Sequence, residues 1–234
     1  MSFNPNYWNK RLENAVFEVP KILEELLQEF NPSEVCFSTS LGQEDQVLTH
    51  ILSKISKDIY YFTLDTGRLF SEVYDLMDKT STRYGIEIDS IHPEAQALNN
   101  LIKSQGNNGF YHGIEQRKNC CEVRKMQGLR KAIAGKKLWI TGLRAEQSEN
   151  RKKIPALEWD EKNNLFKLHP LMFWSQEDLN GLIKAHNIPV NPLHKKGFVS
   201  IGCQPCTRAI LEGEDFRAGR WWWENSKKEC GLHD

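Results

Sequence analysis

Cys120-Cys121 and Cys203-x-x-Cys206 place four sulfur donors in two close pairs. Four thiolates suit either a structural zinc or an iron–sulfur cluster. Zinc fingers usually supply two spaced pairs that reach one ion, whereas adjacent cysteines diverge along the backbone. A cluster offers separate irons to separate thiolates, which suits the tandem pair better; two unrelated buried pairs is the remaining reading of this spacing. Cys36, inside an apolar stretch, reads as a small core residue. Cys230 stands in Lys-Lys-Glu-Cys-Gly-Leu-His-Asp (227–234), after Phe-Arg-Ala-Gly-Arg-Trp-Trp-Trp (216–223). Two lysines and a histidine favour its thiolate, the nucleophilic form, and a terminal segment is accessible unless tied down. An incidental tail cysteine, with the tryptophans simply docking the tail on the core, is the competing reading.

Two other groups of residues suit anions. Ser-Thr-Ser-Leu-Gly-Gln-Glu-Asp (38–45) sits between a strand pattern and a helix pattern, where hydroxyls, backbone N–H groups and the helix dipole face a phosphate or sulfate; Ser/Gly loops also serve as plain caps. Between Arg117 and Lys137 eight basic residues stand against one acid, Glu122. Such residues on a helix are usually a solvated face, but Arg124 and Lys125 lie beside the tandem cysteines. Neither Gly-x-x-x-x-Gly-Lys-Ser/Thr nor Gly-x-Gly-x-x-Gly occurs, which disfavours an ordinary P-loop ATPase or a dinucleotide dehydrogenase.

The elements that must position these residues follow from periodicity. Ile22, Leu23, Leu26, Leu27 and Phe30 predict an amphipathic helix over 20–30. Strands are predicted at 34–38, 59–64, 86–91 and 138–141, with helices after the 38–45 loop, from 65–68 to near Gly85, over 93–105, and over 122–134 with Gly135 as its stop. Residues 157–171 read as a hairpin turning at 161–164. A Ser175/Asp178 capping box opens a helix to Asn187, and beyond Pro189 the chain reads as irregular. Alternating strands and helices imply an α/β fold with a mainly parallel sheet covered on both faces. In such sheets ligands bind at the carboxyl ends of strands, where loops 38–45, 65–68 and 142–151 exit.

Composition bounds the reading. The chain has 234 residues with 31 Lys+Arg against 31 Asp+Glu. Net neutrality disfavours a protein that tracks a nucleic-acid backbone. No apolar run approaches the ~18 residues of a membrane span, and the first residues lack a charged-then-apolar signal pattern, so the expected location is the cytosol. Six cysteines are too few for a disulfide scaffold at this length and read as metal or redox chemistry in a reducing compartment.

Taken together, Lys-Asn-Cys-Cys-Glu-Val-Arg-Lys (118–125), Cys-Gln-Pro-Cys-Thr-Arg (203–208), Arg-Ala-Gly-Arg-Trp-Trp-Trp-Glu (217–224) and Lys-Glu-Cys-Gly-Leu-His (228–233) resemble the assimilatory adenylyl-sulfate reductases, within the wider family that includes phosphoadenylyl-sulfate reductases. Leu-Asp-Thr-Gly-Arg (64–68) and Thr-Gly-Leu-Arg-Ala-Glu-Gln-Ser-Glu-Asn-Arg (141–151) are similar to its strand-exit loops. The loop at 38–45 departs from the Ser-Gly-Ala-Glu-Asp form common in cluster-bearing members.

The resemblance implies a Rossmann-like, adenine nucleotide α hydrolase-like fold, with a [4Fe–4S] cluster on Cys120, Cys121, Cys203 and Cys206, and Cys230 as the catalytic nucleophile. It implies a helical segment over 1–33, the nucleotide-binding reductase domain with its iron–sulfur site over 34–215, and a tail over 216–234. Lys125, Arg144, Arg217 and Arg220 would clamp the phosphosulfate, joined by Arg151. Ser38, Ser40, Gly42, Asp45, Asp65, Thr66, Gly67 and Arg68 would bind substrate from the loops, and His233 would orient the tail or activate Cys230. The implied reaction takes adenylyl sulfate to sulfite and AMP through an S-sulfocysteine. Thioredoxin or glutaredoxin would be the reductant and the protein a homo-oligomer, with no nucleic acid or membrane partner. The alternatives are a phosphoadenylyl-sulfate or dual-substrate reductase, an RNA-thiolation enzyme built on related nucleotide loops, and a non-enzymatic zinc-stabilised binding module.

Overall fold

The computed structural model describes residues 3–224. Its chain divides into two compact units: Met1–Thr63, Asp75–Asp89 and Ile133–Asn191 form the first, and Leu64–Tyr74, Ser90–Ala132 and Pro192–Asp234 the second.

Six strands form one sheet: β1 (Val35–Ser38), β2 (Tyr60–Leu64), β3 (Asp89–Ile91), β4 (Leu138–Ile140), β5 (Leu157–Asp160) and β6 (Leu165–Leu168), in the order β3-β2-β1-β4-β6-β5. β1 is parallel to both β2 and β4, β4 is parallel to β6, and β5 and β6 form an antiparallel hairpin. The chain steps outward from β1 and then returns to lay β4 on its other side. The exit loops of β1 and β4 therefore leave from a topological switch point, where open parallel sheets bind ligands. Val35, Cys36 and Phe37 on β1 and Leu138, Trp139 and Ile140 on β4 are all buried, the continuous apolar pattern of strands covered on both faces.

The helices are α1 (Pro5–Asn14), α2 (Val19–Leu27), α3 (Gln43–Ile55), α4 (Ser71–Tyr84), α5 (Ala95–Gln105), α6 (Ile114–Cys121), α7 (Gln127–Ile133) and α8 (Gln176–His186). α1 starts as its sequence dictates, with Asn4 accepting from the Asn6 and Tyr7 N–H groups and Pro5 in the first turn. On it, the Asn9 side chain both donates to and accepts from the backbone of Leu157, pairing part of the β5 edge. The Ser175/Asp178 capping box is present at α8, a device that contributes about 1 kcal/mol.

Three expected boundaries move. The strand expected over 86–91 begins at Asp89, because the N–H groups of Gly85 and Ile86 return to Ser81 O and close α4 instead. The helix expected from 93 starts at Ala95, with the Glu94 carboxylate capping the Ala97 N–H. The helix expected over 122–134 starts at Ile114, and a π-helical turn over Glu122–Met126 joins α6 to α7 directly after the tandem cysteines. Among the described residues no helix is long and apolar enough to cross a membrane.

In the first unit α2, α3 and α8 enclose a cavity of about 420 Å³ whose lining includes His50. His50 is buried, 2.8 Å from Lys54 Nζ and 3.2 Å from the Tyr84 hydroxyl. Burial, then the nearby charges of Lys54, His186 and Arg83, pull its pKa down to about 4. The unfolded chain takes up a proton near pH 6.5 that the folded protein does not. Stability is therefore expected to fall as the pH drops from about 6.5 to about 4. Urea unfolding of wild type and His50→Gln across that range checks it, and the variant should show the shallower decline.

Candidate active site

In the first unit the β1 exit loop is held from within. The Ser40 N–H and hydroxyl both donate to Asp45 Oδ2, at 2.5 and 2.7 Å. The Leu41 N–H donates to Thr39 Oγ1, and the Ser38 hydroxyl accepts from the Trp139 indole N–H at 2.8 Å. Gly42 is the N-cap of α3 and brings no side-chain cap, so the loop presents the positive end of a 13-residue helix. The β4 exit loop meets it. Gly142 lies against Glu44 and Asp45, and Arg144, 1% exposed, spends its guanidinium on protein acceptors. Its Nε donates to Glu44, Nη1 to Glu146 and the Trp174 carbonyl, and Nη2 to Gln176, over 2.6–3.1 Å. Gln147 bridges to Glu44 at 3.0 Å and accepts from buried Arg151. Of the cations expected to clamp an anion, Arg144 is thus a structural tie between the two loops. Buried His169 adds a support absent from the sequence reading, 2.7 Å from the Thr141 hydroxyl, its pKa lowered by burial.

The second unit gathers the sulfur chemistry. Asp65 Oδ1 accepts from the Gly67 N–H at 2.7 Å and the Tyr74 hydroxyl at 3.0 Å, and His92 lies 3.6 Å from Oδ2. This turn needs Gly67, whose φ is +70°. Its next link is to the cysteines, because Thr66 Oγ1 lies 3.1 Å from Cys203 Sγ. The Arg68 guanidinium binds Asn108 and the Asn107 carbonyl and covers the Phe110 ring, while its carbonyl accepts from the Gln204 N–H.

Phe110, Cys206 and Trp221 form a buried cluster with Cys120, Cys203 and Trp223 packed on it. The Cys206 thiol is pushed up by burial first, then by Cys203, Cys121 and Cys120, and Arg220 opposes the shift. Cys120 is also raised by burial, against the pull of Arg124. Among the described residues no three His, Cys, Asp or Glu side chains are arranged about one ion. Four soft thiols in mutual electrostatic reach, against an aromatic wall, are a donor set that fits a thiolate-ligated group spread over several metal atoms.

Lys125 is half-buried in the π turn beside these cysteines. Arg217 is buried; Arg220 stacks on Trp221 with its centre 4.9 Å from the ring, and its buried Nε has no hydrogen-bond partner. Arg124, set apart with Lys125 in the sequence for its place beside the tandem cysteines, was given no site role there. It is buried, donates to the Thr66 carbonyl at 2.7 Å, and lies beside Cys120. Its position next to the tandem cysteines was the available signal. Cys230 and His233 lie outside the described residues.

The parallel sheet, the switch-point loops and the helices on both faces define a Rossmann-like fold of the adenine nucleotide α hydrolase type. The solved phosphoadenylyl-sulfate reductase of Candida auris, as its phosphate complex, superposes with a TM-score of 0.72 at 20% identity, covering 90% of this chain and 99% of that one. Residues 34–209 match the model of the phosphoadenosine phosphosulfate reductase domain. The adenosine 5′-phosphosulfate reductase of Allochromatium vinosum is 50% identical over 200 residues, 85% of this chain and 78% of that protein. The Agrobacterium fabrum protein of that name is 51% identical over 198 residues, 84% and 76% of the two chains. The chain belongs to the phosphoadenosine phosphosulfate reductase domain family, with adenosine 5′-phosphosulfate reductases among its relatives.

The packing of the two first-unit loops has a sign-specific consequence. A methyl on Gly142 would lie 3.0 Å from Glu44 Cβ and 3.2 Å from the Asp45 carboxyl carbon, and closer still to Asp45 Oδ1. Gly142→Ala should therefore destabilise by about 1–3 kcal/mol through overpacking. Gly181, inside α8, has nothing within 4 Å of an added methyl, and Gly181→Ala should stabilise by about 0.5–1 kcal/mol. Denaturant midpoints of the two variants give shifts of opposite sign.

Proposed function

We propose that this protein reduces adenylyl sulfate to sulfite and AMP in cytosolic sulfate assimilation, through a covalent intermediate on Cys230. The observation that carries the reading is the gathering of four cysteines from two distant segments beside Thr66, in the loop that leaves β2.

Adenylyl sulfate joins sulfate to AMP through a phosphosulfate anhydride. The Cys230 thiolate attacks the sulfate sulfur; an S–S bond forms, the sulfur–oxygen bond to phosphate breaks, and its electron pair leaves on AMP. A thiolate of thioredoxin or glutaredoxin then attacks Cys230 Sγ, and sulfite departs with the electron pair of the S–S bond. The partner's second thiol resolves the mixed disulfide, which restores Cys230 and supplies the second of the two electrons. Lys125, Arg217 and Arg220 neutralise the phosphosulfate oxygens, which lowers the cost of bringing an anionic thiolate to an anionic group. Each unit offers anion-binding groups from a strand-exit loop: the backbone N–H groups of the Asp65–Arg68 turn in the second, and backbone N–H groups and the α3 dipole at the loop ending at Asp45 in the first. Arg144 shapes that loop rather than touching the anion.

Cys120, Cys121, Cys203 and Cys206 would hold a [4Fe–4S] cluster, which when bound supplies a fixed field beside Lys125 and not the reducing electrons, since the thiols provide both. The unphosphorylated nucleotide is the proposed substrate. A 3′-phosphate needs its own cationic pocket, and Arg68, Arg144 and Arg208 are already taken up by protein partners.

Wild-type protein mixed with adenylyl sulfate and no reductant is expected to gain one sulfonate on the peptide ending in Asp234, and to gain it more slowly with the 3′-phosphorylated nucleotide. Cys230→Ser should lose sulfite release and keep its iron. A sulfonate on Cys36, or turnover by the serine variant, overturns the assignment. Separately, Cys203→Ala should lose iron and activity together. Full iron content at a normal rate in that variant would show the four-cysteine set to be wrong.

A further inference from the structure

The strongest unassigned feature is a buried ion pair at the end of the described chain. Arg117 lies on α6, one turn ahead of Cys120 and Cys121. Its Nε donates to both carboxylate oxygens of Glu224, at 2.9 and 3.1 Å, and each side chain is only 4% exposed. The guanidinium also covers the Trp221 ring, 4.5 Å from its centre. Trp221 is 1% exposed and takes a left-handed backbone angle, φ +41°, that a tryptophan adopts only when its surroundings hold it there. Its N–H donates to the Cys206 carbonyl at 3.1 Å, and the Glu224 N–H returns to the Trp221 carbonyl at 2.9 Å. One turn upstream, Thr207 and Arg220 form an antiparallel bridge. Among the described residues the chain is thus tied in succession at Arg220, Trp221 and Glu224, and the third of these ties is made by a charged residue that the proposed chemistry does not otherwise use.

From these contacts we propose that the Arg117–Glu224 pair is a positioning device that fixes the root of the segment carrying Cys230. The proposal rests on the reading of Cys230 as the nucleophile. Five residues separate Glu224 from Cys230, so the six backbone steps alone confine the thiol to roughly 20 Å of the anchor. A nucleophile on a short tether reacts at a high effective concentration, and a fixed root also sets the direction from which it approaches. Losing the pair removes this constraint at Glu224, while the cysteines and the nucleotide loops keep their own contacts. An ion pair serves this purpose better than an apolar contact because Arg117 demands a partner of one charge and one geometry, which selects a single register for the chain entering the tail.

The test measures single-turnover sulfonation of Cys230 by mass spectrometry in the full-length protein, alongside iron content and the dissociation constant for AMP. Arg117→Gln should slow sulfonation by about tenfold or more, with AMP affinity and iron within roughly twofold of wild type. Glu224→Gln, which keeps the shape and removes one charge, should fall between. The double variant Arg117→Gln/Glu224→Gln replaces the pair by two neutral amides and should recover most of the rate, a coupling that a merely structural loss would not show. A wild-type sulfonation rate in Arg117→Gln overturns the proposal. So does a parallel loss of iron and AMP affinity in both single variants that the double variant fails to repair. Failure of the wild-type protein itself to gain a sulfonate on Cys230 sinks the functional reading instead, and the two outcomes are distinguishable in the same experiment.

Discussion

Packing four thiols together, one buried and three half-buried, is electrostatically unfavourable once they ionise, because each thiolate raises the cost of ionising the next. Cys206 shows this most plainly: its shift arises from burial first and from the other three sulfurs after it, and Arg220 opposes both. The surroundings are built around that constraint. Arg124 sets a cation beside Cys120 and ties it to the Thr66 carbonyl. Thr66 in turn places its hydroxyl on Cys203, and Phe110, Trp221 and Trp223 shield the group. Within the proposed chemistry the same arrangement joins the sulfur donors to the loop that leaves β2, so whatever stabilises the thiolates also fixes that loop.

In the first unit, the comparable constraint is a buried guanidinium. Arg144 cannot be desolvated without acceptors, and removing one partner from such a buried ion pair typically costs about 3–5 kcal/mol. Glu44, Glu146, Gln176 and the Trp174 carbonyl meet that demand. The result is a rigid junction of the β1 and β4 exit loops at the switch point, with Asp45 holding Ser40 on one side and Gly142 pressed close on the other. An arginine in a strand-exit loop of a nucleotide fold invites assignment as an anion clamp; here its charge is balanced by partners within the first unit.

The two buried arginine systems also differ in purpose. Arg144 joins the exit loops of β1 and β4 within the first unit, whereas Arg117 ties α6 to Glu224 within the second. A buried pair of this kind can orient a neighbouring segment without itself touching a reactant.

What the sequence by itself determined was whatever local chemistry encodes. Apolar spacing marked the helices now seen as α2, α3 and α8; continuous apolar runs marked β1 and β4; the Ser175/Asp178 box and the turn at 161–164 marked an end and a hairpin. The cysteine spacing and the terminal motif pointed to the family, because those residue types are rare and their order is specific. The tertiary structure decided which cations are taken. Nothing local to Arg144 reveals its acceptors on Glu44 and Trp174, and nothing local to Arg117 reveals a carboxylate 107 residues away. The π turn after Cys121 was equally hidden, since one widened turn leaves the apolar period almost unchanged. Helical period and capping depend on neighbours a few residues apart. The pairing of buried charges depends on which distant segments the fold brings together, and only desolvation in the folded state makes one pairing obligatory.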